Sequence, residues 1–163
     1  MDERQKLQQL LKFDVWSSRK LIDFIVENDQ FEGKETCISY ISHIINTQKV
    51  WFSRAVDLST DRDLDFWMVY ELKDLKYKVK KAGQRWIDLV GDHDVNIDRI
   101  IQYKNSKGEE YINAVWQICN HIVIHGQHHR AQILQIMAQA GLEPPNIDFI
   151  NYARMDEVQK MKI

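Results

Sequence analysis

The chain is short of cysteine, proline and glycine, and it has neither a long apolar run nor a large charge of one sign. Its two cysteines, Cys37 and Cys119, lie far apart without CxxC spacing. That fits reduced, mostly buried thiols better than a disulfide framework. The closeness of Cys119 to a histidine-rich run leaves a redox or ligand role open for it. Both prolines stand together as Pro144-Pro145, so proline breaks the chain only near its end. Among the six glycines there is no phosphate-cradling glycine-rich loop and no nucleophile elbow. No stretch approaches about 18 uninterrupted apolar residues, and Met1-Asp2-Glu3-Arg4-Gln5-Lys6 lacks the apolar centre of a signal peptide. A cytoplasmic protein with no membrane partner is therefore expected. The formal net charge is −2, the signs are interspersed and the pI is near 6.3, which steers nothing toward phosphate backbones. Nucleic-acid binding is not expected.

What is present suffices for one core. A chain of 163 residues with 44% hydrophobic content fits a single domain over residues 1–163. Leu7, Leu10, Leu11, Val15, Ile22 and Ile25 recur at helical spacing through residues 3–28, and Gly33 interrupts them. Thr36 is placed to cap a second helix carrying Ile38, Ile41, Ile45, Phe52 and Val56, which ends where Asp57-Leu58-Ser59-Thr60-Asp61 turns polar. A third helix has the clearest seam, Leu72, Leu75, Val79, Ala82, Trp86 and Leu89, stopped by Gly91. Residues 96–104 alternate instead, with the turn cluster Asn105-Ser106-Lys107-Gly108 and a returning strand over 110–112. Such a hairpin is marginal alone and must lie against the helices. A long helix over 113–140 closes at Gly141, and residues 146–152 form a short packed tail. The expected class is all-α, an antiparallel four-helix bundle with a small β-hairpin insertion before the last long helix, and bundles build metal sites from facing helices.

The last helix contains His125-Gly126-Gln127-His128-His129. An i, i+4 pair differs by about 40° around a helix and about 6 Å along it, so His125 and His129 reach one ion. On the helical wheel the apolar arc is Val115, Trp116, Cys119, Ile122, Val123, Ile133, Leu134 and Met137. His125 and His129 flank that arc, while His121 and His128 are rotated toward the polar side and are weaker ligands. Against this stands the ordinary outcome for helical histidines, a satisfied core or surface residue. On the second helix His43 shares a side with Tyr40, Thr47, Val50 and Arg54, away from the isoleucine stripe, so periodicity alone does not select it. The tryptophans at 16, 51, 67, 86 and 116 read as core and pocket walls.

The run from His121 to Ile133, with Gly141, Pro144-Pro145, Asp148-Phe149 and Tyr152, resembles the DinB-like family and its YfiT-like relatives. Ser42-His43-Ile44 with Trp51 and Arg54, and Trp16-Ser17-Ser18-Arg19-Lys20-Leu21, are similar to that family's second- and first-helix motifs. The resemblance spans nearly the whole chain. It departs at His128, where an aromatic is common, and slightly at Ala131. It implies a bulged four-helix bundle, often a homodimer, in which His43, His125 and His129 bind a divalent metal at a cavity mouth. Family members include enzymes that use low-molecular-weight thiols, and many have no assigned activity, so membership names no reaction.

Three protein ligands leave a coordination position open, as in working rather than closed structural sites. Zinc or nickel is the expected ion. It would make a nucleophile at neutral pH from a thiol co-substrate or from water. Gly126 stands where a zinc protease carries its HExxH glutamate, which disfavours peptidase chemistry. His121, Arg54 and Arg130 are the nearby residues for proton transfer or anion binding, and Gln132 for ligand orientation. The expectation is a thiol S-transferase acting on a small electrophile, with hydrolysis by metal-activated water as the rival. A non-enzymatic metal-binding, ligand-binding or scaffold protein is the third reading.

Overall fold

A computed structural model describes residues 1–56, 64–105, 107–156 and 159. The polar end expected for the second helix at Asp57–Asp61, and Ser106 of the hairpin turn, lie outside the described residues. The elements are α1 (Glu3–Glu27), α2 (Lys34–Ala55), α3 (Leu72–Gly91), β1 (Ile100–Lys104), β2 (Glu110–Ala114), α4 (Val115–Gln139) and α5 (Phe149–Arg154). This is the all-α bundle expected, with its hairpin ahead of the last long helix.

Asp2 starts α1 with a reciprocal capping box: its carboxylate accepts from the Gln5 backbone N–H at 2.8 Å, and the Gln5 side chain accepts from the Asp2 N–H at 2.9 Å. The second helix begins two residues before Thr36, because Gly33 turns the chain in at φ 86°. A side chain at Gly33 would also press on Ile136 of α4, 2.4 Å from its Cβ. Asn113 and Ala114, expected in the last helix, instead finish β2. The register pairs Ile100 with Ala114 and Tyr103 with Tyr111. As its size requires, the hairpin leans on the bundle: Ile101 is buried, and Arg99 Nη2 donates to the Ala55 carbonyl at 2.9 Å.

Around the bundle, α1 and α2 each pack on both α3 and α4. Consecutive helices α1 and α2 are therefore diagonal, a span that residues 28–33 bridge with about 20 Å of extended reach. Lys76 pairs with Asp23 while Gly91 lies against Gln8, so α1 and α3 run antiparallel. The same holds for α2 and α4, where Gly33 meets Ile136 and Trp51 meets His121. The other two neighbour pairs run parallel: Leu7 and Leu10 lie beside Trp116 and Asn120, and Asp14 beside Arg130, while Phe52 and Gln48 meet Trp86.

The core holds the expected stripes. Leu7, Leu11, Ile22, Ile25, Ile41, Ile45, Leu75, Val79, Trp86, Ile122 and Ile133 are all buried, each large apolar side chain contributing about 1.5–3 kcal/mol. Trp116, expected on the apolar arc, is instead 41% exposed at the rim of a cavity. Trp16 and Trp86 are core.

One charged pair crosses this core. Arg130 Nη1 donates to Asp14 Oδ1 at 2.6 Å and to Ser18 Oγ at 3.0 Å, and both charged side chains are essentially inaccessible. Gln48 of α2 donates to the other Asp14 oxygen at 2.5 Å. The pair passes over Gly126, where an added Cβ would stand 2.6 Å from Asp14 Oδ1 and 2.8 Å from Arg130 Nη1. Breaking one side of a buried pair costs about 3–5 kcal/mol, against about 1 kcal/mol of helix propensity gained by Gly→Ala. Urea unfolding is therefore expected to show Asp14→Ala destabilised by about 3–5 kcal/mol. Gly126→Ala should be destabilised too, despite its better helix propensity. The joint replacement Asp14→Leu with Arg130→Met should recover much of the loss, and a double variant no better than Asp14→Ala would contradict this account.

Candidate metal centre

Two helices build the site. His125 and His129 lie one turn apart on α4, and the antiparallel α2 brings His43 opposite them. The side of α2 away from its isoleucine stripe is also buried: Val50 and Thr47 are inaccessible and His43 is only 7% exposed. The ligating atoms of the three histidines lie within 4.8 Å of one another.

The nitrogens facing inward are identified by what holds the other side of each ring. His43 Nδ1 lies 2.9 Å from the Phe66 carbonyl, which can only accept, so Nδ1 carries the proton and Nε2 the lone pair. His129 Nδ1 donates to Gln132 Oε1 at 2.7 Å, giving the same tautomer and the orienting role expected of Gln132. His43 Nε2 and His129 Nε2 lie 3.3 and 3.2 Å from His125 Nε2. A tetrahedron with metal–nitrogen bonds of about 2.0–2.1 Å has N···N edges of about 3.3–3.4 Å. Two of the three edges match such a tetrahedron, and the three imidazoles could hold a metal ion.

Neighbouring groups fix this arrangement. Asn46 donates to the Phe66 carbonyl at 3.2 Å and the Met68 carbonyl at 2.7 Å, and Tyr70 donates to Asn46 Oδ1 at 2.5 Å. Residues 66–70 are thereby tied to α2. Trp67 stacks on His43, centroids 4.0 Å apart and planes 10° apart, with half of its surface exposed. Tyr40 stacks on His129 at 5.3 Å. Tyr40 was legible as a residue on the His43 side of its helix. Trp67 was among the tryptophans read as core and pocket walls, whereas nothing local marked Asn46, or Phe66, whose segment has no periodicity to read.

The matching comparison is a family model: the DinB family model aligns with residues 3–161. This chain belongs to the DinB family. Neither a curated protein nor a solved structure matches it.

In this DinB-family chain the remaining expected residues separate by location. His121 is exposed, 5.7 Å from the His125 ring and edge-on to Trp51 at 5.2 Å. His128 is exposed beside His129. Arg54 is half-buried on the flank of the site, its Cζ 4.8 Å from the Trp51 ring and 5.2 Å from the Tyr103 ring. Arg130 lies in the core, committed to Asp14. The partner of Arg130 was not anticipated, although a carboxylate at position 14, seven residues from Leu7 and three from Leu11, stands on the buried face of α1.

Burial governs the titration of these groups. It pushes the His125 imidazole down to about 3, reinforced by His129, His43, His121 and His128. It lowers His129 as well, which the Gln132 hydrogen bond partly opposes, and it lowers His121. Burial raises the Cys37 thiol to about 11 and the Cys119 thiol to about 12, so neither is a ready nucleophile. Without metal, His125 in the unfolded chain takes its proton near 6.5, but in the folded protein only near 3. Between those values the unfolded state binds more protons, and stability falls as pH is lowered through the window. Denaturant midpoints of the metal-free protein are expected to fall from pH 6.5 toward 4, and less steeply in His125→Gln. Parallel slopes in the two proteins would count against this assignment.

Proposed function

We propose that this protein is a divalent-metal-dependent enzyme that transfers a low-molecular-weight thiol onto a small electrophile, with His43, His125 and His129 as the metal ligands. The observation that carries the reading is the convergence of three Nε2 atoms, two of them aimed by hydrogen bonds on the far side of their rings. A zinc or nickel ion held there by three imidazoles would keep a position open and supply Lewis acidity, lowering the pKa of a thiol or water that reaches it. In the transfer the thiol gives up its proton and its sulfur bonds to an electrophilic carbon. The leaving group departs with the electron pair and takes up a proton. Tyr40 and Trp67 wall the reacting space, and the exposed imidazole of His121 stands beside His125 to accept the proton.

Hydrolysis is the second reading and uses the same ligands. Transfer is favoured because the groups in contact with the three histidines are rings, one amide and one backbone carbonyl. Among the described residues they include no carboxylate base. Gly126 has no room for the HExxH glutamate.

Elemental analysis of untagged protein is expected to find about one zinc or nickel ion per chain, lost in His43→Ala and in His129→Ala. Full occupancy in His129→Ala would overturn the ligand set. No metal in the wild type after addition of divalent ions would favour the scaffold or ligand-binding reading.

A homodimer belongs to the same proposal. Apart from histidines, the one Asp, Glu, Lys or Arg of α4 is the buried Arg130, so the outward face of the helix carries no such charge, with Ile124 69% exposed. Sedimentation is expected to give a dimer at micromolar concentration and a monomer for Ile124→Glu. A wild-type monomer would refute it.

A further inference from the structure

Arg54 is placed unlike the other described arginines whose contacts are clear. Arg130 is spent on Asp14, Arg4 on the carbonyls of Val90, Asp92 and Val95, and Arg99 on the carbonyl of Ala55. The Arg54 guanidinium is half-buried against Trp51 and Tyr103, whose rings are 4.9 Å apart at 77°. Among the described residues no carboxylate or carbonyl accepts from it. Burial lowers its pKa, and Tyr103 partly opposes the shift. The three centres form a nearly equilateral triangle, so both rings lie on one side of the guanidinium, and among the described residues its five N–H donors meet no acceptor. A desolvated cation with unspent donors is costly unless an anion completes it.

The guanidinium is also joined to the histidine site. His121 bridges the two, its ring 5.7 Å from His125 and 5.2 Å from Trp51, and Trp51 carries Arg54. Positions 43 and 54 are separated by about 16 Å along α2, at about 1.5 Å per residue. The contacts through Trp51 and His121 keep the guanidinium within about 16 Å of the His125 ring.

We propose that Arg54, packed against Trp51 and Tyr103, binds a carboxylate at the far end of the molecule that reacts at the three-histidine site. The inference rests on the metal-enzyme reading for the identity of the reacting end. A single guanidinium matches one planar monoanion through paired N–H···O bonds, whereas a phosphate group approaching two negative charges calls for a second cation. The substrate class is an extended acid, a carboxylate-bearing thiol or electrophile rather than a small neutral molecule.

The test compares 6-mercaptohexanoate with 6-mercaptohexanol, which have the same chain and sulfur but differ in the charged end. Binding to zinc-loaded protein is measured by calorimetry, with metal content determined on the same samples. The carboxylate is expected to bind about 10-fold to 100-fold tighter, as a charged hydrogen-bonded pair warrants. The preference should fall to about threefold or less in Arg54→Met and be intermediate in Arg54→Lys. Equal binding of the two thiols, or a preference unchanged in Arg54→Met at equal metal content, would overturn the proposal. In parallel, the Arg54 Nε–H resonance, identified by its loss in Arg54→Met, is followed in metal-free protein. A saturable shift with hexanoate and none with hexanol supports the carboxylate site even if no metal loads, in which case the metal reading alone has failed. No shift with hexanoate, or a larger one with inorganic phosphate, would overturn the carboxylate assignment.

Discussion

The buried contact between Asp14 and Arg130 sets the rotation of α4, and the rotation of α4 sets the site. Arg130 follows His129 directly, and successive residues on a helix point about 100° apart. With Arg130 turned inward to α1, His129 and His125 face α2, where His43 waits. Gln48 of α2 donates to the same carboxylate, so one ionised group indexes three helices. A buried ion pair is a poor source of net stability, since desolvation offsets most of the attraction. What it supplies here is register, because sliding α4 by one residue would leave two charges unpaired in an apolar core. Gly126 is part of the same device, the gap in α4 through which the pair passes.

The second constraint is the two-sidedness of α2. Its isoleucines feed the shared core, and its other side carries His43, Asn46, Thr47 and Val50 into contact with α4 and residues 66–70. A helix enclosed this way must satisfy its polar side chains internally. Asn46 does so by holding the Phe66 and Met68 carbonyls, and Phe66 then fixes the His43 tautomer. The same hydrogen bonds satisfy these side chains and orient His43.

From the histidines a row of rings leads through His121, Trp51 and Tyr103 to the hairpin. Two short strands would be marginal alone. They are docked on the bundle by buried Ile101, by Tyr103 against Trp51 and by Arg99 on the Ala55 carbonyl.

Local pattern by itself determined the helices, the hairpin, most of the core and the His125/His129 pair, because each depends on periodicity or on spacing within one element. The seam of α3 from Leu72 to Leu89 and the stop at Gly91 were legible for that reason. His43 was legible only through the resemblance to a family, since on the helical wheel it sits apart from the apolar stripe. Tertiary structure alone decided which helices are neighbours, that Arg130 belongs to the core while Arg54 flanks the site, and that Phe66 and Trp67 orient and cover His43. Those outcomes depend on which surfaces far apart in sequence meet. Burial and partner, rather than residue type, then decide whether a given arginine or histidine is structural or chemical.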